Sequence, residues 1–131
     1  MNYQMLIDEA FIARQKAYAP YSQFQVGASL LLKNGQIIHG CNIENAAYGS
    51  SMCAERNAVF QAYCQGYHKE DIVALAIVAD CLPLISPCGA CRQVLAELLD
   101  PSTPLLLGCK DYFEVTNIQE LLPRAFTGEN L

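Results

Sequence analysis

A Cys-x-x-Cys pair, Cys88 and Cys91, is the feature of this sequence with the clearest chemical potential. It lies in the stretch SPCGACRQ, directly after Pro87 and at the start of a run with helical character. A third cysteine, Cys53, opens the stretch Cys-Ala-Glu-Arg and is followed two positions later by Glu55. Two cysteines at this spacing can form a disulfide, a redox centre, part of a metal site, or part of the core.

The expected compartment narrows these alternatives. The first residues, MNYQMLIDEAF, have no basic start and carry Asp8 and Glu9 where a secretory signal needs apolar residues. The longest apolar run, residues 72–79, is too short to cross a bilayer. We therefore expect a cytoplasmic protein without a membrane segment, in which thiols stay reduced. The odd number of cysteines, 7, also fits a full set of disulfides poorly, so metal binding or redox chemistry is favoured.

Zinc is the metal that three such thiols would suit. Cys88 and Cys91 share one side of a predicted helix, and Cys53 begins the preceding helix. Positive helix N-termini stabilise thiolates, which are the form of cysteine that zinc binds. Three protein ligands leave a fourth position open, as in catalytic zinc sites. Glu55 is then placed to accept a proton from an activated water, and Arg56 to offset the thiolate charge by hydrogen bonding.

The elements that must position these residues follow from hydrophobic periodicity and turn signals. Helices are predicted at 2–18, 53–64, from Pro87 to 99, and after a capping box of Thr116 and Gln119. Strands are predicted at 24–32, 36–42, 72–79, 105–109 and 112–115, with a tight Asn34-Gly35 turn between the first two. The pattern predicts one α/β domain over 1–131, a three-layer α/β/α sandwich with a mixed five-stranded sheet and helices on both faces. The other cysteines (Cys41, Cys64, Cys81 and Cys109) are predicted to be small apolar residues of its core.

The charge of the chain argues against polymeric or membrane partners. The formal net charge is −5, and the lysines and arginines are scattered rather than clustered. A protein that binds long nucleic acid needs a basic stripe, and an anionic membrane surface also attracts basic residues. We expect neither partner, and a small neutral ligand instead.

With these motifs in place, the sequence resembles the small cytidine deaminases. Cys-Ala-Glu followed by Pro-Cys-Gly-Ala-Cys matches the zinc nucleobase-deaminase signature, with Cys53 in place of a first histidine ligand. The resemblance extends from Ala19-Pro20-Tyr21-Ser22 to Phe126. It includes FQVGA at 24–28, GCNIENAAYG at 40–49 and ELLPRAF at 120–126.

The resemblance implies hydrolysis of cytidine or deoxycytidine to the uridine nucleoside and ammonia, a step of pyrimidine salvage. Zinc-bound hydroxide, with one zinc per subunit, would attack C4 of the base while Glu55 shuttles protons. The resemblance places Asn42 and Glu44 on the ribose 3′-hydroxyl, and Phe24 and Ala54 against the nucleoside. It also implies a homotetramer with shared sites, in which Ala46, Tyr48 and Phe126 reach the ligand of a neighbouring subunit.

Three other interpretations remain open. A deaminase of another aminated base, of the blasticidin type, would keep the fold and the metal. A structural zinc protein would need a fourth protein ligand, for which no His or Cys has useful spacing. A redox dithiol protein would need Cys88 exposed and Cys53 dispensable.

Overall fold

Four α-helices and five strands form the fold in the computed structural model, which describes residues 2–131. The helices are α1 (Tyr3–Arg14), α2 (Ala54–Cys64), α3 (Gly89–Leu98) and α4 (Ile118–Leu121). The strands are β1 (Gly27–Leu32), β2 (Ile37–Cys41), β3 (Ile72–Val78), β4 (Leu105–Gly108) and β5 (Phe113–Thr116).

The strands form one mixed sheet in the order β2-β1-β3-β4-β5. β3 and β4 pair in parallel, and each of the other neighbouring pairs is antiparallel. β1 and β2 form the predicted hairpin, and Gly35 in its turn has a φ of +88°, a conformation that glycine adopts without strain. The predicted five-stranded fold class is confirmed.

Helices cover both faces of this sheet. Leu6, Ile7 and Ala10 of α1 pack against one face, on the side chains of Ala76 and Val78 from β3. α2 and α3 pack on the opposite face through a second core cluster that includes Ala58, Val59, Ala62, Leu95, Leu75 and Ile77. No helix formed by residues 2–131 has the length and apolarity that spanning a bilayer requires.

The first helix and strand are shorter than predicted, because side chains and loops satisfy their backbone groups. α1 ends at Arg14 rather than at 18, and the backbone of Tyr18 instead bonds to Asn42 and Glu44. β1 begins at Gly27 rather than at 24, since the Asn42 side chain bonds to the backbone of Phe24 and Val26. The backbone bonds of Tyr18 thus replace the last predicted turn of α1, and the Asn42 side chain replaces the predicted strand pairing before Gly27.

Two further predictions are wrong. Asn117, not Thr116, caps α4, because its side chain accepts a hydrogen bond from the backbone N–H of Glu120. Cys64 is exposed, since it lies two residues past the buried Ala62 and so on the opposite side of α2. Cys109 is buried as expected, whereas Cys41 and Cys81 are partly buried.

Candidate active site and metal centre

Two helix N-termini carry the cysteines of the candidate metal centre. Cys53 is the N-cap of α2 and Cys88 is the N-cap of α3, each with extended backbone and without a capping hydrogen bond from its side chain. Cys91 lies in the first turn of α3 and is fully buried. The sulfurs therefore lie at the positive ends of two helices, where the field favours thiolates.

The three sulfurs are close enough to share one ion. Sγ of Cys88 lies 3.9 Å from Sγ of Cys53 and 3.4 Å from Sγ of Cys91, and all three lie within 4.8 Å of one another. Sulfurs bound to one zinc at 2.3 Å in tetrahedral geometry would be about 3.8 Å apart. The donor set and its spacing fit zinc. Within residues 2–131 no fourth His, Cys, Asp or Glu joins this group.

Hydrogen bonding makes the Cys53 thiol more acidic than the Cys91 thiol. A hydrogen bond with the Cys91 thiol, assisted by Arg56, outweighs burial and lowers the pKa of Cys53 to about 5. Nη2 of Arg56 lies 3.5 Å from the Cys53 sulfur. The same bond to Cys53 raises the pKa of Cys91. Of these two thiols, Cys53 is therefore the one that carries the negative charge, beside the guanidinium group of Arg56.

Glu55 is a buried carboxyl group in the first turn of α2. Its side chain is 4% exposed, and this burial raises its pKa to about 7. A carboxyl group with this pKa can both accept and return a proton near neutral pH. Glu55 also contributes to the wall of a cavity next to the sulfurs.

This cavity has a volume of about 210 Å³ and brings most of the predicted residues together. Its lining includes eight of them: Phe24, Asn42, Glu44, Tyr48, Cys53, Ala54, Glu55 and Cys88. Polar side chains, two cysteines and the buried carboxyl group thus line one partly apolar space. This combination is typical of a site for a small polar molecule.

The segment 21–26 forms one rim of the cavity and is held by Asn42 and Glu44. Glu44 accepts hydrogen bonds from the backbone N–H of Tyr21 and Ser22 and from the Ser22 hydroxyl. Asn42 accepts from the N–H of Val26 at 2.9 Å and donates to the carbonyl of Phe24 at 2.8 Å. These contacts fix the path of the backbone around Phe24, so the two polar residues shape the cavity as well as line it.

Two of the predicted residues lie apart from the cavity of their own chain. Ala46 and Phe126 are exposed, Phe126 to 60%, and neither contributes to its wall. Tyr48 lines the cavity but is also 61% exposed. Arg56 and Cys91 are not part of the wall either, but both contact the sulfur cluster.

Four cavity residues were not assigned a role from the sequence: Ser22, Val26, Ile85 and Ser86. Ser22 is part of the quoted Ala-Pro-Tyr-Ser stretch, and Ser86 precedes Cys88 by two residues, so nearness to a motif was the available signal. Val26 is part of the quoted FQVGA stretch and Ile85 directly precedes SPCGACRQ, so the same signal was available for these two apolar residues.

A close approach of β2 to α2 sets the position of Cys53 and Glu55. A Cβ atom added to Gly40 would lie 2.5 Å from the carbonyl oxygen of Ala54 and 2.7 Å from the nitrogen of Ala58. Glycine at this position therefore lets the first turn of α2 pack directly on the strand.

Comparisons with known proteins agree with this geometry. A family model described as the cytidine and deoxycytidylate deaminase zinc-binding region matches residues 1–105. The chain is 55% identical to a cytidine deaminase of Halalkalibacterium halodurans, over 100% of this chain and 98% of that protein. It is 50% identical to a cytidine deaminase of Sporosarcina psychrophila, over 100% and 96%. The fold matches the crystal structure of a cytidine deaminase from Burkholderia pseudomallei with a TM-score of 0.93 and 47% identity, covering 96% of this chain and 100% of that one.

Proposed function

The chain belongs to the cytidine and deoxycytidylate deaminase family, and from this premise we propose that it hydrolyses cytidine and 2′-deoxycytidine to the uridine nucleosides and ammonia. It is a zinc-dependent hydrolase. One observation carries the proposal: three sulfurs lie within 4.8 Å of one another, and two of them belong to the wall of a cavity that also contains a buried carboxyl group.

We assign the zinc to Cys53, Cys88 and Cys91, with one ion per subunit. Bound there, zinc would lower the pKa of a water molecule so that it can act as the nucleophile at neutral pH. Arg56 offsets the charge of the thiolates by its hydrogen bond to Cys53. Without such a cation, three thiolates would give the site a net negative charge.

Glu55 carries the protons in this proposal. Its carboxylate accepts a proton from the attacking water and delivers it to N3 of the base as the oxygen adds to C4. It then passes the remaining proton of the C4 hydroxyl group to the amine, so that the C4–N4 bond breaks, ammonia leaves and C4 keeps a carbonyl oxygen. The pKa of about 7 suits a group that must be proton acceptor and donor in one cycle.

Asn42 and Glu44 are proposed to bind one hydroxyl group of the ribose. The Asn42 amide retains a second N–H, and the Glu44 carboxylate retains lone pairs beyond those used by Tyr21 and Ser22. A hydroxyl group can accept from the first and donate to the second. Phe24 and Ala54, which also line the cavity, are proposed to pack against the nucleoside.

A homotetramer with shared sites completes the proposal. The cavity of about 210 Å³ is smaller than the roughly 300–1,000 Å³ of typical ligand pockets. The exposed aromatic rings of Tyr48 and Phe126 are suited to complete the site of a neighbouring subunit, together with Ala46.

The cellular role follows as a further part of the proposal. Free cysteines at the metal centre and elsewhere suit the reducing cytoplasm. Conversion of free nucleosides there would serve pyrimidine salvage. We propose that residues 1–131 act as one catalytic domain, without nucleic acid polymers or membranes as partners.

A substrate panel tests this function. Purified protein is analysed for zinc and then followed for ammonia release from cytidine, deoxycytidine, adenosine, guanosine and blasticidin S. We expect about one zinc per chain and turnover of the two cytidine nucleosides only. Turnover of another amine without turnover of cytidine would overturn the assignment of the substrate, and a zinc-free active protein would overturn the mechanism.

A further inference from the structure

Arg92 makes an unusual set of contacts next to the metal centre. Its Nε donates to the carbonyl of Pro87 at 2.7 Å, and its Nη2 donates to the hydroxyl of Ser86 at 2.9 Å. Its Nη1 donates to the carbonyl of Leu121 at 2.7 Å. One partly buried guanidinium group therefore connects three acceptors from two separate parts of the chain.

The position of Arg92 in α3 explains this reach. Its backbone N–H bonds to the carbonyl of Cys88, so it lies one helical turn after that cysteine. Side chains of a helix tilt toward its N-terminus, and the guanidinium group consequently returns over residues 86 and 87. The planar group has donors in fixed directions, which lets it hold several acceptors at once.

The two residues that Arg92 holds precede the proposed zinc ligand Cys88. Ser86 lines the cavity and Pro87 is buried, so the segment joins the cavity wall to the sulfur. Cys88 is an N-cap whose side chain makes no capping bond. The sulfur therefore depends on the backbone just before it for its placement.

The other end of the connection is the C-terminal part of the chain. Leu121 is the last residue of α4, and the side chain of the neighbouring Gln93 donates to the carbonyl of Phe126 at 2.8 Å. The carbonyls of Leu121 and Phe126 are thus both bonded to α3, the helix that Cys88 caps and that contains Cys91.

We propose that Arg92 is a positioning residue, which fixes the sulfur of Cys88 and the Ser86 edge of the cavity by tying residues 86–87 to the end of α4. The inference rests on the proposed zinc site, but it concerns a residue that does not contact the metal or the substrate. Residues that orient metal ligands from outside typically change metal affinity or activity by about 10–100-fold when they are replaced.

The test measures zinc retention rather than activity alone. Zinc-loaded wild type, Arg92→Met and Arg92→Lys are mixed with excess chromophoric chelator, and the rate of zinc release is recorded at 25 °C. The same proteins loaded with Co²⁺ report the thiolate-to-metal charge-transfer absorption, which is sensitive to ligand geometry. Thermal melting of each protein measures the general effect on folding.

Arg14 offers a matched control, because its Nε also donates to a backbone carbonyl, that of Gln25, at 3.0 Å. Arg14→Met and Arg14→Lys remove the same kind of bond from the segment 21–26, which carries none of the cysteines. We expect them to lower the melting temperature without changing zinc release or the cobalt spectrum.

For Arg92→Met we expect zinc release about tenfold faster than in wild type, with an altered cobalt spectrum. Arg92→Lys keeps the charge but not the planar donors, and we expect an intermediate rate. Ser86→Ala removes only one of the Arg92 contacts, so we expect it to accelerate zinc release less than Arg92→Met does. This variant still tests the proposal if Arg92→Met does not fold.

Release within twofold of wild type in Arg92→Lys and Ser86→Ala, with an unchanged cobalt spectrum, would overturn the positioning role. A lower melting temperature of the Arg92 variants without faster zinc release would show that Arg92 only stabilises the fold, and would also overturn the positioning role. A wild-type protein that binds no zinc would instead refute the proposed function, so the two failures are distinguishable.

Discussion

At the scale of single residues, two neighbours on one helical turn have their pKa values moved in opposite directions. Hydrogen bonding with Cys91 lowers the pKa of Cys53 to about 5, whereas burial raises the pKa of Glu55 to about 7. The division suits a metal ligand, which must be deprotonated, and a proton carrier, which must exchange its proton near neutral pH. Cys53 and Glu55 are only two residues apart, so it is the different environments of their side chains that suit them to the two proposed roles, metal ligand and proton carrier.

Glu44 is the residue for which a pH dependence can be derived. The hydrogen bonds that it accepts, foremost from Ser22, lower its pKa. A carboxyl group whose pKa is lowered by folding stabilises the protein above its unfolded pKa, about 4.3. That contribution is lost as the pH falls through the lower pKa of the folded state. We expect the difference in unfolding free energy between wild type and Glu44→Gln to be full at pH 6–7 and to shrink below about pH 4.

Urea unfolding of both proteins between pH 7 and pH 3 checks this expectation. Glu97→Gln, on the exposed side of α3, is the control for removal of a carboxylate. A difference between wild type and Glu44→Gln that is as large at pH 3 as at pH 7 would contradict the derivation.

The sequence allowed the chemical residues of the centre to be predicted, because cysteines in such spacing have few uses. It did not allow the second role of Asn42 and Glu44 to be predicted. Their bonds to the backbone of residues 21–26 join positions about twenty residues apart in the sequence. Such contacts cannot be predicted from the local sequence pattern. The hydrogen bond from Arg92 to the carbonyl of Leu121 could not be predicted for the same reason.

At the scale of elements, the site depends on how closely α2 packs on β2. Because a Cβ atom at Gly40 would overlap the backbone of Ala54 and Ala58, Gly40→Ala must displace the first turn of α2. We expect a loss of about 1–3 kcal/mol in the free energy of unfolding, as is common for overpacked sites. Deamination should fall in parallel, since Cys53 and Glu55 move with the helix.

Gly128→Ala is the control, because a Cβ atom there meets nothing within 4 Å. Chemical unfolding and the cytidine assay, carried out on both variants, test the expectation. Equal unfolding free energies for Gly40→Ala and Gly128→Ala would show that the close approach does not constrain the helix.

The elements themselves followed closely from sequence where the signal was strong. The apolar run of β3 and the Asn34-Gly35 turn gave nearly the observed bounds. The ends of α1 and β1 were predicted less well, since Tyr18 and Asn42 redirect backbone bonds across the fold. Helix and strand ends depend on such tertiary partners, whereas the middles depend on periodicity.

At the scale of the whole molecule, we propose that a neighbouring chain completes the site. Phe126 lies outside the cavity of its own chain and is exposed, as expected for a residue that serves a neighbouring subunit. If sites are shared, chains of Phe126→Ala and Glu55→Gln should complement each other when they are co-expressed. Random assembly would give about a quarter of the sites both intact residues, because each comes from a different chain.

Purified mixed oligomers, sized by sedimentation, are compared with each variant expressed alone. We expect the mixture to recover activity well above that of either parent. A mixture no more active than its parents, or an active monomer in sedimentation, would contradict the shared site.

The central claim is that three cysteine sulfurs hold zinc while Glu55 moves the protons, and one paired measurement tests it most directly. Zinc content and the absorbance change of cytidine are determined on the same preparations of wild type and Glu55→Gln. We predict about one zinc per chain in both proteins and a deamination rate that is about 10²–10⁴-fold lower in the variant. A Glu55→Gln protein that keeps its zinc and deaminates cytidine at the wild-type rate would contradict the claim.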